Sequence, residues 1–354
     1  VKLLLLVIAA LATSASAQVE RNILLPPGLG NPRNSEAAMI DLADGRILLV
    51  YSRFTGGGGD HAKANLAARF SSDGGATWTG DDATVTRDEG GMNTMSPSLL
   101  RMKDGAIGVF YLRKNNLTDC RVYLRISRDD AKTWGEPVLC TPPIAYYVMN
   151  NDRAVRLKDG RIMLPVAMHQ TPTQPRTSHA AISCFTSDDD GQTWSASEIA
   201  RADAARVLEE PGVVELRDGR IMLWCRTDAG NQYVSFSDDR GKSWSELKPS
   251  NIPSPRSPAS IKRVPSTGEL LLVWNNNPDV SGKSHGKRTP LNAARSRDEG
   301  KTWENIKTLE DDPQGWYCYT AIHFVGENVV LSHCTGRVKL ASTQVTRFPL
   351  KWLE

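Results

Sequence analysis

Two short apolar runs flank the pair Asp218-Gly219: Val213, Val214 and Leu216 lead in, and Ile221, Met222, Leu223 and Trp224 lead out. An Asp-Gly pair between two such runs predicts a tight β-hairpin, because glycine accepts the positive φ that the turn requires. A third strand is expected from Tyr233 to Phe236, running into the segment Ser237–Trp244. Two charged residues interrupt the pattern at the open end of the hairpin: Glu210 just before the first run and Arg226 at the end of the second. Antiparallel pairing brings those two ends together. The same head recurs along the chain, with turn glycines at Gly45, Gly105, Gly160, Gly219, Gly268 and Gly326, each between apolar, β-rich runs.

The tail of the unit recurs as S-x-D-x-G-x-T-W, at Ser71–Trp78, Ser127–Trp134, Ser187–Trp194, Ser237–Trp244 and Ser296–Trp303. Ala131 stands in the second copy where the others have glycine, so that turn is expected to be less standard. The aspartate of such a turn bonds its own backbone amides, glycine takes the awkward φ, and tryptophan plugs the gap between sheets. These boxes therefore read as structure, not chemistry. All-strand repeats of this length predict an all-β fold, a six-bladed β-propeller of four-stranded antiparallel blades, whose functional residues lie on loops at one end of the ring. By that placement Asn93, Asn151 and Arg153, ahead of hairpin strands, are candidates either for substrate contact or for strand-end caps.

Composition adds boundaries to this picture. Residues 1–17 read as a secretory signal peptide, with Lys2, an apolar core from Leu3 to Ala12 and the small-residue site Ala15-Ser16-Ala17. The apolar run is too short to span a bilayer, and residues 18–354 read as a single domain with no membrane span. A secreted or periplasmic protein is expected. The net charge of +3 and the lack of basic clusters argue against nucleic acid. Six cysteines in an exported chain allow disulfides. Cys318 and Cys334 lie symmetrically about Gly326 and form one candidate pair, Cys120 with Cys140 another, and Cys184 and Cys225 are expected free. The Cys and His spacings match no metal site, and no cofactor is expected.

The residues between the boxes resemble the sialidases (neuraminidases), specifically bacterial exo-sialidases with Asp-box (BNR) repeats, over nearly the whole of residues 18–354. The run GGGGDHAKANLAARFSSDGGATW is similar to the stretch that carries the acid/base aspartate, which the resemblance places at Asp60; Arg53 is similar to an arginine beside it. EEPGVVELRDGRIMLWCR resembles the run holding the glutamate that activates the nucleophile and the second arginine of a triad, here Glu210, with Glu209 as the alternative, and Arg226. Arg288 sits where the third triad arginine is expected, with Arg256 as competitor. GWYCYTAIHF resembles the nucleophile strand, which implies Tyr319, or Tyr317 two residues earlier, with Trp316 bordering the pocket. The chain departs from the family at its opening motif, usually aromatic-Arg-Ile-Pro. It has Asn31-Pro32-Arg33-Asn34-Ser35-Glu36, so Arg33 is the nearest arginine, with Glu36 close to where the motif belongs.

This set implies retaining hydrolysis of a terminal sialic acid. Arginines hold the substrate carboxylate through charge-assisted hydrogen bonds. A carboxylate nucleophile would be repelled by that charge, whereas a tyrosine is neutral until it attacks. With a pKa of about 10 the phenol needs a base, the role of Glu210, while Asp60 protonates the leaving oxygen and later activates water. The expected partner is a sialylated glycan or another acidic sugar, and a monomer is expected. Two alternatives stand beside this reading: a related hydrolase for another nonulosonic or uronic acid, and a noncatalytic glycan-binding propeller.

Overall fold

The computed structural model describes residues 18–87, 89–202, 207–278, 288–337 and 340–354. The expected signal peptide lies outside the described residues. The architecture is all-β; the only helix among the described residues is a 3₁₀ turn at Leu350–Leu353. No helix among them is long and apolar enough to cross a membrane.

All six glycine-centred hairpins form. Arg33–Asp41 pairs with Ile47–Phe54, Asn93–Arg101 with Ile107–Lys114, Val155–Arg156 with Ile162–Gln170, Glu209–Glu215 with Ile221–Arg226, Ser260–Arg263 with Leu270–Trp274, and Cys318–Val325 with Asn328–Thr335. Four sheets have four strands each, and a wide, nine-stranded sheet joins a group of four strands to a group of five through one parallel pair, Tyr146 with Cys120. The N-terminal strand Glu20–Leu25 pairs with the C-terminal strand Ser342–Pro349, so the two ends of the described chain close one sheet. Second strands such as Ile47–Phe54 and Ile221–Arg226 are buried nearly throughout instead of alternating, because each sheet is covered on both faces. Outer strands such as Glu304–Glu310 are largely exposed. First strands pack side by side: Arg33–Asp41 lies against both Asn93–Arg101 and Cys318–Val325, and Ser260–Arg263 against both Glu209–Glu215 and Cys318–Val325.

The boxes are turns, as their chemistry requires. In the first, Gly75 N donates to Ser71 Oγ at 2.8 Å, and Thr77 donates its amide and hydroxyl to Asp73 at 2.9 and 2.6 Å. The second box keeps this geometry despite its alanine: Ala131 adopts φ 67° and donates to Ser127 Oγ at 2.9 Å.

The inner strands carry a feature that composition does not reveal. Glu36, Ser96, Asp152, Glu210 and Tyr319 all adopt positive φ, between 51° and 56°. At four of them the strand pairing also shifts register, between Ser35 and Ala38, Met95 and Ser98, Glu209 and Gly212, and Cys318 and Ala321. These are β-bulges, which re-aim a side chain at the cost of roughly 1–2 kcal/mol for a left-handed non-glycine residue. The side chains so turned build the site.

Candidate active site

Glu36, Ser96, Glu210 and Tyr319 line one cleft of about 260 Å³. Asp152, the fifth bulge residue, lies outside that lining, pairs with Lys262 at 3.2 Å and accepts the Ile322 amide at 2.9 Å, tying neighbouring inner strands together.

Tyr319 Oη donates to Glu210 Oε1 at 3.0 Å, and Glu210 Oε2 receives Arg226 at 2.6 Å. Burial raises the Glu210 carboxyl, but the charges of Arg226 and Arg288 and the hydrogen bonds from Arg226 and Tyr319 bring it below its usual value. Burial and the Glu210 charge push the Tyr319 phenol well above its usual value. The pair is thus an ionised base holding a neutral phenol. Arg288 lies over the Tyr319 ring at 5.1 Å and donates to Cys318 Sγ at 2.7 Å. The Nε groups of Arg226 and Arg288 are buried with no hydrogen-bond partner among the described residues. Both arginines line the cleft beside Tyr319 and bring positive charge to it. Glu209 lines the same cleft but turns to Arg256, at 2.6 Å, and approaches Arg226 only at 3.5 Å. Among the described residues no group of three or more His, Cys, Asp or Glu is placed to hold a metal.

Asp60 stands at the cleft with its side chain 66% exposed, paired with Arg33 at 2.5 Å. The cleft walls that partly desolvate its carboxyl raise it, while the Arg33 charge and hydrogen bond, then Lys114 and His61, bring it below its ordinary value. Asn93 holds the loop that presents it, donating to the carbonyls of Asp60 and Ala62 at 3.1 and 2.8 Å. Glu36 accepts Arg33 at 3.0 Å and is bonded to Ser96; burial raises its carboxyl despite those partners.

A family profile described as "BNR repeat-like domain" matches residues 80–331. The chain belongs to this BNR repeat-like family. It is similar to a sialidase of Bacteroides fragilis (strain YCH46), 28% identical over 209 residues, covering 55% of this chain and 36% of that protein. It is similar also to a sialidase of Micromonospora viridifaciens, 30% identical over 151 residues, covering 40% of this chain and 22% of that protein. The chain therefore spans well under half the length of either relative. Among solved structures it resembles the Hadza microbial sialidase Hz136, with a TM-score of 0.75 and 19% identity over 91% of this chain and 67% of the other, a likeness of fold.

Within this cleft the structure brings together Asp60, Glu210, Tyr319, Arg226 and Arg288, with Arg256 joining them. It differs from the sequence expectation at two arginines. Arg33 is absent from the lining because its guanidinium is committed to Asp60, Glu36 and Ser35 and stacks on Phe54 at 4.4 Å. Arg53 turns away to Asp82, at 3.2 Å. Tyr317 does not share the face of Tyr319: it packs in a hydrophobic cluster, because the bulge breaks the strand alternation between them. Trp316 is half-buried and also outside the lining. Asn151 and Arg153 act from beneath, Asn151 holding the Tyr319 carbonyl at 3.0 Å and Arg153 the Ala259 carbonyl at 2.7 Å. Cys318 and Cys334 face each other in register, yet all six cysteines are free. Their sulfurs are engaged separately, Cys318 by Arg288 and Cys334 by the Glu36 amide at 3.4 Å.

Lys114, Arg176, His169 and Tyr146 line the cleft without having been singled out in the sequence. No motif or repeat position in the sequence marks these four; the residues Glu36, Ser96, Asp152, Glu210 and Tyr319, by contrast, each precede a hairpin glycine by seven to nine positions.

Proposed function

We propose that this chain is an exo-acting sialidase that hydrolyses a terminal acidic sugar with retention of configuration. The observation that carries the reading is the Tyr319–Glu210 hydrogen bond of 3.0 Å in a cleft that Arg226 and Arg288 also line. Arg226 and Arg288 hold the sugar carboxylate. Tyr319 Oη bonds to the anomeric carbon as its proton passes to Glu210 Oε1, and the bond to the leaving oxygen breaks as that oxygen takes a proton from Asp60. Water then attacks the same carbon, giving a proton to Asp60, and the phenol departs with the proton held by Glu210. In the same reading the sheets form a six-bladed ring, with the wide sheet counting as two blades. The chain works outside the cytoplasm as a monomer.

Release of 4-methylumbelliferone from its sialoside tests the reading, with wild type beside Asp60→Ala and Tyr319→Phe. Turnover that collapses in both variants supports it. A folded wild type without turnover contradicts sialic acid as substrate. A second reading, a different nonulosonic or uronic acid, is favoured by one observation: Glu36, not an arginine, faces the cleft beside Ser96, while Arg33 is fully used.

A further inference from the structure

Besides Arg288, which stands over Tyr319, two cations of the cleft have no carboxylate within ion-pair range among the described residues. Lys114 ends the strand Ile107–Lys114 and is 2% exposed. Its Nζ donates to the Asp60 main-chain carbonyl at 2.6 Å, stands 3.4 Å from His61 Nδ1 and 3.9 Å from Met95 Sδ, and lies 5.4 Å from the centre of the Tyr146 ring. Arg176, exposed on the loop before Ala181–Ser187, stacks on that same ring at 4.2 Å. Among the described residues no carboxylate comes within ion-pair range of either, whereas Arg33, Arg226 and Arg256 each have one. The carboxylate of Asp60, which lines the same cleft, is paired with Arg33.

Enclosing an ammonium without a counter-ion costs several kcal/mol, and an apolar side chain of similar volume would remove that cost. The wall around Lys114 is otherwise suited to an apolar residue, with Met95, Leu112, Tyr146 and Val148 lining the same cleft. Lys114 ends a strand of the wide sheet and Arg176 lies on the loop joining two strands of that sheet, whereas Arg226 ends a strand of a different sheet. They also differ in kind: Lys114 is a compact point charge at depth and Arg176 a planar fork near the opening, a combination that can grip one anion from two sides.

We infer that Lys114 and Arg176, set about Tyr146, form a second anion-recognition site, so that the preferred substrate carries an anionic group in addition to the carboxylate held by Arg226 and Arg288. The inference rests on the proposed sialidase reading and narrows its substrate class. The second charge belongs either to a substituent on the acidic sugar, such as a sulfate ester, or to a leaving group that is itself an acidic sugar.

Two pairs of substrates separate these sources: α2,8-linked disialic acid against 3′-sialyllactose, and a 4-methylumbelliferyl sialoside with an 8-O-sulfate against the unsubstituted compound. At low ionic strength the wild type should prefer the charged member of at least one pair by about ten-fold or more in kcat/KM, equivalent to about 1.4 kcal/mol. The preference should shrink as salt rises. Arg176→Ala, an exposed change that leaves the core intact, should bring the ratio close to one, mainly through KM. Lys114→Met should do the same and Lys114→Arg should restore part of the preference. Equal rates within both pairs, or a preference that survives Arg176→Ala, overturn the inference. The same ligands titrated by calorimetry into the Tyr319→Phe protein read the site without turnover. Tighter binding of the charged members there supports the inference even if the proposed activity fails, and equal binding overturns it.

Discussion

Replacing Glu210 by glutamine and Tyr319 by phenylalanine, singly and together, measures whether the two side chains act as one unit. Glu210 Oε1 accepts the phenol at 3.0 Å and Oε2 accepts Arg226 at 2.6 Å. Glutamine can still accept the phenol hydrogen bond, but it cannot take the proton. With the phenol pushed well above its usual value, almost none of it is ionised unaided. The loss should therefore be the whole contribution of a positioned base, about 10²–10⁴ in kcat, or about 3–5 kcal/mol. Phenylalanine removes the nucleophile and with it any use for the base. The double variant should then be no slower than the slower single one, a coupling about as large as the smaller single effect. Arg226 loses its charged partner in Glu210→Gln but keeps Glu209 at 3.5 Å, so the stability loss should be modest, about 1–3 kcal/mol. The assay is kcat on a 4-methylumbelliferyl sialoside, with thermal melting of each variant to show that it is folded. Losses that simply add would refute the unit, because Glu210 would then act independently of Tyr319.

Three further outcomes follow from contacts around the site. Arg33→Met removes the cation that holds Asp60 below its ordinary value while leaving the burial that raises it; the acid proton should persist to higher pH, so the alkaline limb of kcat/KM should move up, and an unmoved or lowered limb contradicts this. A Cβ on Gly212 would lie 2.3 Å from Trp224 Cζ2, and that ring is fixed by burial and by its bond to the Ala259 carbonyl at 3.1 Å; Gly212→Ala should cost about 1–3 kcal/mol in a denaturant melt. Hydroxyl and amide donors of their own turns hold Asp73, Asp129, Asp189 and Asp298 at about 2. Depressed folded-state values give stability that is full above the unfolded value near 3.9 and is lost as pH falls through about 2. Melting temperature should therefore drop across that window, and a flat profile would count against the turn chemistry.

Local chemistry made much of this molecule legible. Asp-Gly and related pairs between apolar runs locate hairpins because the turn needs a glycine φ, and antiparallel pairing alone predicts that Glu210 meets Arg226. What escaped depends on backbone geometry that no residue type announces. The bulge at Tyr319 separates it from Tyr317, and the corresponding bulge at Glu36 turns that carboxylate to the cleft while Arg33 is spent on Asp60. Resemblance alone places Arg53 at the pocket, and the pull of Asp82, distant in sequence but near in space, turns it away. Nothing in the sequence singles out Lys114, because no residue type announces that its ammonium is enclosed. Cysteines spaced for a hairpin do face each other, but their neighbours, Arg288 and the Glu36 amide, decide where the sulfurs point.

The most direct test of the central claim, that Tyr319 is the nucleophile, is to treat the protein with a 2,3-difluorosialic acid and map the labelled peptide by mass spectrometry. The account predicts time-dependent inactivation with one glycosyl adduct on Tyr319, absent from Tyr319→Phe. An adduct on Tyr317 or on a carboxylate, or no adduct in protein that hydrolyses the sialoside, would contradict it.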